Sequence, residues 1–432
     1  MTKTWIDTEN TKFLINGQPT YSEIEGSNQD AHGLLMNARF IQGIFDDKAA
    51  PERFAIFGHD TWDPAANTDR LIAALPKWYD HGLRAFTVGL QGGGPVLTLD
   101  DWSTIDNNPY GTDGRSFDPA YAERLDRLIK AADDIGMVVI VSFLYASQGS
   151  RLQDGRAVRN AVIGASRFLK NGGYTNVIIE VANEYNLSGF HMHPIIQSDE
   201  GIASLIDLAR QESGGLLVGS SGTGGYANRE VAEASDVILI HGNGLHRQRY
   251  YNLIRKVQSW NLDKPIVCNE DSPCFTQLKV AYQTQTSWGY YNNHTKQDVP
   301  ADWTITPGED TFFAHRMADG IGIQLDPLPE EEQYYLQGLE PNKIQDGKRW
   351  IRLAALYPEK IDTVEYFRNG KPMGIAYEEP FYPDYVETWI QKPIFMQPND
   401  REFMARIRQF DGKVIEKSVG ELSADNFLHS AK

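Results

Sequence analysis

The stretch that most constrains the fold is a short apolar run that ends in two polar residues. Residues 176–186 read NVIIEVANEYN, and valine and isoleucine dominate the first half. Such a run is typical of a strand buried on both faces, as in parallel sheets and barrels. Glu184 comes at the C-terminal end of this strand, where an α/β barrel places its chemistry. The position of Glu184 therefore indicates a catalytic role rather than a structural one.

Similar apolar runs alternate with helical patterns along most of the chain. The predicted strands cover residues 38–45, 83–90, 137–144, 176–183, 216–219, 237–240, 265–268 and 287–292. Eight alternations of strand and helix predict a (β/α)8 TIM barrel, an α/β fold. Asn16-Gly17, between apolar residues, is a hairpin signal, and we expect this N-terminal hairpin to cover the closed bottom of the barrel.

The pattern changes after the acidic run at residues 330–332. Short alternating runs separated by turn signals such as Asn369-Gly370 and Asp411-Gly412 predict a small antiparallel β-sandwich. Its predicted strands cover residues 350–356, 363–368, 387–390, 403–410 and 414–419. We therefore expect a barrel domain over residues 1–328, including the hairpin, and a C-terminal β-sandwich domain over residues 329–432.

The segment Glu180 to Glu184 resembles the fourth barrel strand of the clan A retaining glycoside hydrolases. The pattern in that clan is an apolar run, Glu, two residues and then Asn-Glu; this chain has Tyr185 where Pro usually follows. The resemblance requires a second glutamate at the end of a later strand, and Glu270 follows the apolar run at residues 265–268. It covers roughly residues 12–325 and implies no individual family.

The resemblance implies cleavage of a β-glycosidic bond in a poly- or oligosaccharide by double displacement. Glu184 would be the general acid/base, Glu270 the nucleophile, and Asn183 would hold the sugar 2-hydroxyl. Retaining enzymes keep their two carboxyl groups about 5.5 Å apart. Since like charges so close disfavour joint ionisation, we expect Glu184 to hold a proton in the resting enzyme. The structural alternative is that each glutamate ends a strand or pairs with an arginine.

Other residues near predicted strand ends are candidates for substrate binding. The clan often has a His or Tyr near the nucleophile and a Trp on strand eight, which His241 and Trp288 match. An aromatic plane suits the apolar face of a pyranose, so Trp288 is the first choice for stacking. Further candidates for bonding or stacking on sugars are Tyr145, Gln91, Asp46, Asp47, Trp62, Trp102 and Trp303.

Two alternatives to a glycosidase stay open. One is a barrel that binds carbohydrate without turnover. The other is a metal-dependent hydrolase in which His191, His193 and His241 hold the ion, although the first two lie in a loop. The glycosidase hypothesis requires no cofactor and no metal.

The net charge and the N-terminal sequence limit the expected partners and location. A formal net charge of −17 repels nucleic acid phosphates and anionic membrane surfaces, so neither is an expected partner. The N-terminus lacks a basic segment followed by an apolar one, so a cytoplasmic location is the default expectation, and a secreted or periplasmic one if a signal was removed. The oligomeric state is not readable from these features.

Overall fold

The computed structural model describes residues 3–57, 62–95, 97, 99, 101–340 and 347–420. It begins with a three-stranded antiparallel sheet of β1 (Ile6–Glu9), β2 (Lys12–Ile15) and β3 (Gln18–Pro19). Phe13 of β2 packs in one apolar cluster with residues near the starts of the following parallel strands. The N-terminal hairpin therefore covers the bottom of the barrel, as the sequence predicts.

Eight short parallel strands follow in chain order. They are β4 (Asn37–Arg39), β5 (Ala85–Gly89), β6 (Val138–Tyr145), β7 (Val177–Asn183), β8 (Leu217–Gly219), β9 (Ile238–His241), β10 (Ile266–Glu270) and β11 (Gly289–Tyr290). Six of them form one sheet in the order β11-β4-β5-β6-β7-β8, and β9 pairs with β10.

Backbone hydrogen bonds close the two remaining gaps in the ring. The amide of Cys268 donates to the carbonyl of Ser287 at 3.0 Å, which joins β10 to the segment entering β11. The amide of Asp236 donates to the carbonyl of Val218 at 2.7 Å, which joins β8 to the segment entering β9. The predicted (β/α)8 barrel is confirmed.

Helices lie between the strands and bury their apolar faces against them. They are α1 (Pro64–Asp80), α2 (Pro119–Ile135), α3 (Gly155–Gly172), α4 (Pro194–Gln197), α5 (Asp199–Ser213), α6 (Arg229–Ala234), α7 (Arg247–Gln258), α8 (Phe275–Thr284) and α9 (Glu309–Ile321). In the described part of the chain, no helix combines the length and the apolar character that a bilayer crossing requires.

The helix boundaries follow from local chemistry. The Asp118 carboxylate accepts a hydrogen bond from the Ala120 amide at the start of α2, and Gly136 ends that helix at a φ of +85°. The sequence predicted both of these ends.

The C-terminal region has a second apolar core, which antiparallel sheets share. Its strands are β12 (Tyr334–Gln337), β13 (Lys348–Arg349), β14 (Arg352–Ala355), β15 (Ile361–Arg368), β16 (Lys371–Ala376), β17 (Ile394–Phe395), β18 (Phe403–Gln409) and β19 (Val414–Val419). Side chains of β12 and β14 pack on those of the four-stranded sheet β16-β15-β18-β19, which is a sandwich arrangement. The predicted strand at residues 387–390 is wrong: this segment is irregular, and its Thr388 bonds Ser272 in the loop after β10 at 2.9 Å. A domain division at residue 328 stays a prediction.

One partly buried carboxyl group joins the C-terminal region to the barrel. Glu379, which follows β16, accepts hydrogen bonds from the amides of Phe275 at 2.5 Å and Thr276 at 3.3 Å. These amides begin α8 and have no partner within the helix, so Glu379 caps it from outside.

Candidate active site

Five polar side chains occupy the last positions of five barrel strands. Because parallel strands all end on the same face, these side chains meet at one mouth of the barrel. They are Arg39 of β4, Tyr145 of β6, Asn183 of β7, His241 of β9 and Glu270 of β10. Glu184 directly follows β7 and joins this group.

The two predicted catalytic glutamates lie close together at this mouth. Nδ1 of His241 is 3.1 Å from Oε1 of Glu184 and 3.7 Å from Oε2 of Glu270. One oxygen from each carboxyl group and a ring nitrogen of His241 all lie within 4.8 Å of one another. The Glu184 side chain is 15% exposed and the Glu270 side chain 7%, so both are largely shielded while still accessible.

Arg39 is the partner of Glu270 that the sequence analysis missed. Its Nε lies 2.8 Å from Oε2 of Glu270, and its Nη2 donates to Oδ1 of Asn183 at 2.8 Å. The guanidinium is fully buried and also stands 5.5 Å from the ring centre of Tyr291. One rigid cation therefore fixes a carboxylate on β10 and an amide on β7. The signal in the sequence was a single charge inside an apolar run.

The backbone at Glu184 has an uncommon conformation. Its φ is +50°, a left-handed value that few residues other than glycine adopt. The amide of Glu184 donates to Oγ of Ser221 at 3.1 Å, and the amide of Tyr185 donates to the carbonyl of Ser221 at 3.0 Å. The Ser221 hydroxyl also donates to Oε1 of Glu180 at 2.7 Å. The Gly-rich loop after β8 therefore holds the strained turn that aims Glu184 into the mouth.

Charges around Glu270 act in opposite directions on its ionisation. Burial raises the pKa of Glu270, Arg39 and His241 lower it, and Glu184 and Glu180 raise it again, with a net rise. The Asn243 amide donates to Oε1 of Glu270 at 2.8 Å, a bond that favours the carboxylate. Burial and the neighbouring carboxyl groups therefore raise the pKa of Glu270, whereas the sequence predicted that Glu184 would hold a proton.

His241 is linked to both carboxyl groups. Burial alone would lower the pKa of His241, but Glu270 and Glu184 outweigh it, so the pKa is raised. The imidazole is fully buried and stands between the glutamates. It can therefore carry a positive charge that stabilises the pair when both are ionised.

Two tyrosines complete the wall of the site. Tyr145 and Tyr291 pack together with Ile41, and burial raises the pKa of both phenols, which therefore stay neutral. Tyr145 was predicted and lies with the glutamates; Tyr291 was not predicted.

Several buried polar atoms at this mouth lack a hydrogen-bond partner among the described residues. They are Nη1 of Arg39, Nδ2 of Asn183, Nε2 of His241 and the hydroxyl of Tyr291. Buried donors are rarely left unpaired, because each costs about 1–3 kcal/mol. These atoms are suited to bonding the hydroxyl groups of a bound ligand.

The structure gives other roles to two of the predicted binding residues, Gln91 and Asp46. Gln91 bonds Asn108 at 2.7 Å and accepts from the Tyr145 amide at 3.1 Å, so it positions that strand end from within the protein. The carboxylate of Asp46 lies 4.0 Å from Arg124 on α2, and its contacts in the described chain do not reach the glutamates.

The prediction that Trp288 stacks on sugar is wrong for this structure. Trp288 is fully buried, donates to Asp271 at 2.6 Å and packs on Phe313 of α9. Side chains alternate along a strand, so Trp288 and Tyr290 face the helix while Tyr291 faces the mouth.

The three histidines proposed as metal ligands do not come together in the described residues. His193 pairs with the carbonyl of Gly149 at 2.8 Å, and His191 with that of Ser188 at 2.9 Å. The described side chains that could share an ion are instead Glu184, His241 and Glu270. Arg39, 2.8 Å from Glu270, already supplies the positive charge there, which disfavours a metal cation at the same oxygen.

Comparisons with known proteins find likeness in structures alone. No protein-family model matches the chain. No curated protein matches it either. The chain is similar to a β-glucuronidase from Bacteroides uniformis, with 11% identity over 96% of this chain and 47% of that one and a TM-score of 0.44. It is similar to a glycosyl hydrolase family 2 member from Bacteroides cellulosilyticus DSM 14838, with 11% identity over 97% of this chain and 48% of that one and a TM-score of 0.43.

A shorter structure is also similar. It is the endo-β-1,4-mannanase from Thermotoga petrophila, with 11% identity over 89% of this chain and 96% of that one and a TM-score of 0.43. The chain spans about half the length of the two Bacteroides proteins. Likenesses of this size say nothing about the chemistry of this chain.

Proposed function

We propose that this protein is a retaining glycoside hydrolase that cleaves a β-glycosidic bond in an oligo- or polysaccharide. The observation that carries the proposal is the close approach of Glu184 and Glu270 at the C-terminal mouth of the barrel, with carboxyl oxygens within 4.8 Å. Retaining enzymes keep their carboxyl groups about 5–5.5 Å apart, whereas inverting enzymes need about 6.5–9.5 Å to admit a water. The short separation favours double displacement.

Glu270 is suited to act as the nucleophile. The Asn243 amide donates to Oε1 at 2.8 Å, and Arg39 forms an ion pair with Oε2 at 2.8 Å, so the carboxylate is held from both sides. In the first step the carboxylate attacks the anomeric carbon, and the bond from that carbon to the leaving oxygen breaks. A covalent glycosyl ester on Glu270 results.

Glu184 is suited to act as the acid and then the base. It donates its proton to the leaving oxygen as the glycosidic bond breaks, and later removes a proton from the water that attacks the ester. The left-handed turn held by Ser221 fixes its carboxyl group opposite Glu270. The nearby His241 cation compensates for the negative charge that Glu184 gains in the first step.

Asn183 is suited to bind the sugar next to the cleaved bond. Its Oδ1 is fixed by Arg39, so its Nδ2 is left free to donate to a sugar hydroxyl. In such reactions a bond to the 2-hydroxyl strengthens at the transition state and supplies several kcal/mol.

The proposal is tested by turnover with matched variants. We expect the wild-type protein to hydrolyse at least one member of a panel of aryl β-glycosides, cellulose, mannan and galactan fragments. Glu270→Ala should lose at least about 10⁴-fold in kcat, because no covalent intermediate can form. Azide added to Glu270→Ala should give a glycosyl azide of inverted configuration.

Glu230→Ala is a matched control for these variants. Glu230 lies in the exposed first turn of α6, so its loss should leave kcat unchanged. Full activity in Glu270→Ala would contradict the proposal. Oligosaccharide binding by calorimetry without any hydrolysis would instead support a carbohydrate-binding barrel.

A further inference from the structure

The irregular segment of residues 381–391, here called the rim segment, lies on the mouth of the barrel. Three side-chain contacts link it to the loops that follow β9, β10 and β11. They are Tyr385–His246 at 3.2 Å, Thr388–Ser272 at 2.9 Å and Gln391–His294 at 3.0 Å. The C-terminal region therefore adds a wall to the face that carries the glutamates.

The rim segment places an indole beside the residues that hold Glu270. Its Trp389 follows Thr388, which is fully buried against Ser272, two residues beyond Glu270. A methyl group built on Gly244 would lie 3.7 Å from Cδ1 of Trp389. Gly244 directly follows Asn243, the donor to Oε1 of Glu270. Trp389 thus borders the proposed cleavage position without belonging to it.

Trp389 also keeps a surface available to a ligand. It is 39% exposed, although its neighbour Thr388 is fully buried. By contrast, Trp62, Trp288 and Trp303 are at most 8% exposed and pack in the core. A large apolar surface left open beside a polar cleft is typical of a binding position, because burying it on a ligand is favourable.

We propose that Trp389 is a sugar-stacking platform that the C-terminal region contributes to the substrate cleft. Its occupant is a pyranose unit of a β-linked oligosaccharide, bound beyond the unit attached at the cleaved bond. The indole plane covers the apolar face of this sugar. The inference rests on the proposed function. Stacking on Trp389 would make the enzyme prefer oligosaccharides over single sugar units as substrates.

The test compares two tryptophans of similar exposure. Trp5 is 44% exposed and lies on the N-terminal hairpin at the opposite end of the barrel, so Trp5→Ala is the matched control. Affinity for cellohexaose and mannohexaose is measured by calorimetry in a Glu270→Gln background, alone and with Trp389→Ala, Trp389→Phe or Trp5→Ala. For whichever hexaose binds, we expect Trp389→Ala to lower the affinity by roughly tenfold. Trp389→Phe and Trp5→Ala should each lower it by less than about threefold.

A second readout separates the platform from general damage. In the otherwise wild-type enzyme, Trp389→Ala should leave kcat/KM for an aryl monosaccharide glycoside within about twofold, since that substrate does not reach the platform. Three results would each overturn the inference. They are a loss of kcat/KM on the aryl glycoside as large as the loss of hexaose affinity, the same hexaose affinity in Trp389→Ala and Trp5→Ala, and no binding of either hexaose. Hexaose binding through Trp389 without hydrolysis by the wild-type protein would overturn the proposed function alone.

Discussion

Replacing Arg39 by methionine tests how the buried cation controls the proposed nucleophile. Methionine keeps much of the apolar stem but removes the charge that lies 2.8 Å from Oε2 of Glu270. At an effective dielectric constant of about 20, two charges at this distance attract by about 6 kcal/mol. His241, whose Nδ1 lies 3.7 Å from the same oxygen, still stabilises the carboxylate in the variant, so we expect a net loss of about 3 kcal/mol from ionised Glu270.

This loss has a defined effect on activity. About 3 kcal/mol corresponds to a roughly 10²-fold fall in kcat/KM at acidic pH. Burial already raises the pKa of Glu270 and Arg39 opposes that rise, so the variant's carboxyl group should hold its proton to higher pH. The assay is kcat/KM against pH on an aryl glycoside, whose acid limb should move towards higher pH.

Arg39→Lys separates charge from geometry. Lysine keeps the positive charge but lacks the planar guanidinium group, which contacts Glu270 and Asn183 at the same time. We expect an acid limb close to that of the wild type, with a raised KM because Asn183 loses its fixed orientation. An acid limb in Arg39→Met that coincides with the wild type, in a folded protein by circular dichroism, would refute the reasoning.

Three further predictions follow from other contacts. Glu184→Ala should lower hydrolysis of oligosaccharides by about 10²–10⁴-fold but largely spare formation of the covalent intermediate from dinitrophenyl glycosides, which need no acid; equal losses would contradict its role as an acid. Between about pH 4.5 and pH 7, the free energy of unfolding should fall by about 3 kcal/mol in the wild type but not in Glu379→Gln, as measured by urea denaturation at several pH values. Asp310→Asn should lower that free energy by about 3–5 kcal/mol in urea denaturation, because Lys296, fully buried and 2.6 Å away, loses its counter-charge.

The direction for Glu379 follows from proton binding. Burial raises its pKa in the folded protein from 4.5 to about 7, although the hydrogen bonds from Thr276 and Phe275 oppose the rise. The folded state therefore binds a proton more tightly than the unfolded state, and stability is greatest below pH 4.5 and lost as the pH rises to about 7. A pH dependence identical in the wild type and Glu379→Gln would contradict this account, as would an Asp310→Asn protein as stable as the wild type.

The barrel could be predicted from the sequence because its strands are buried on both faces and read as apolar runs. The ends of β7 and β10 were recognisable for the same reason, since Glu184 and Glu270 each follow such a run. A strand end predicts that a side chain reaches the mouth. It does not predict which residue lies opposite, because that depends on the closure of the ring.

The errors have physical causes of the same kind. Arg39 was passed over because a lone charge in an apolar run does not reveal its partner 231 positions away, Glu270. On β11, only two residues long, the alternation of side chains could not be fixed from the sequence, and Trp288 was assigned to the mouth instead of Tyr291. The segment containing Trp389 has strand-like composition but is held by contacts with barrel loops, which no local pattern encodes.

The central claim is a covalent bond between Glu270 and the sugar. The direct measurement is mass spectrometry of peptides after incubation with a 2-deoxy-2-fluoro glycoside carrying a dinitrophenolate leaving group, in the sugar series that the wild-type protein hydrolyses. The account predicts one fluoroglycosyl group per chain, attached at Glu270, with loss of activity in step with labelling. Labelling of a different residue, or turnover that yields the inverted sugar with no labelled peptide, would contradict it.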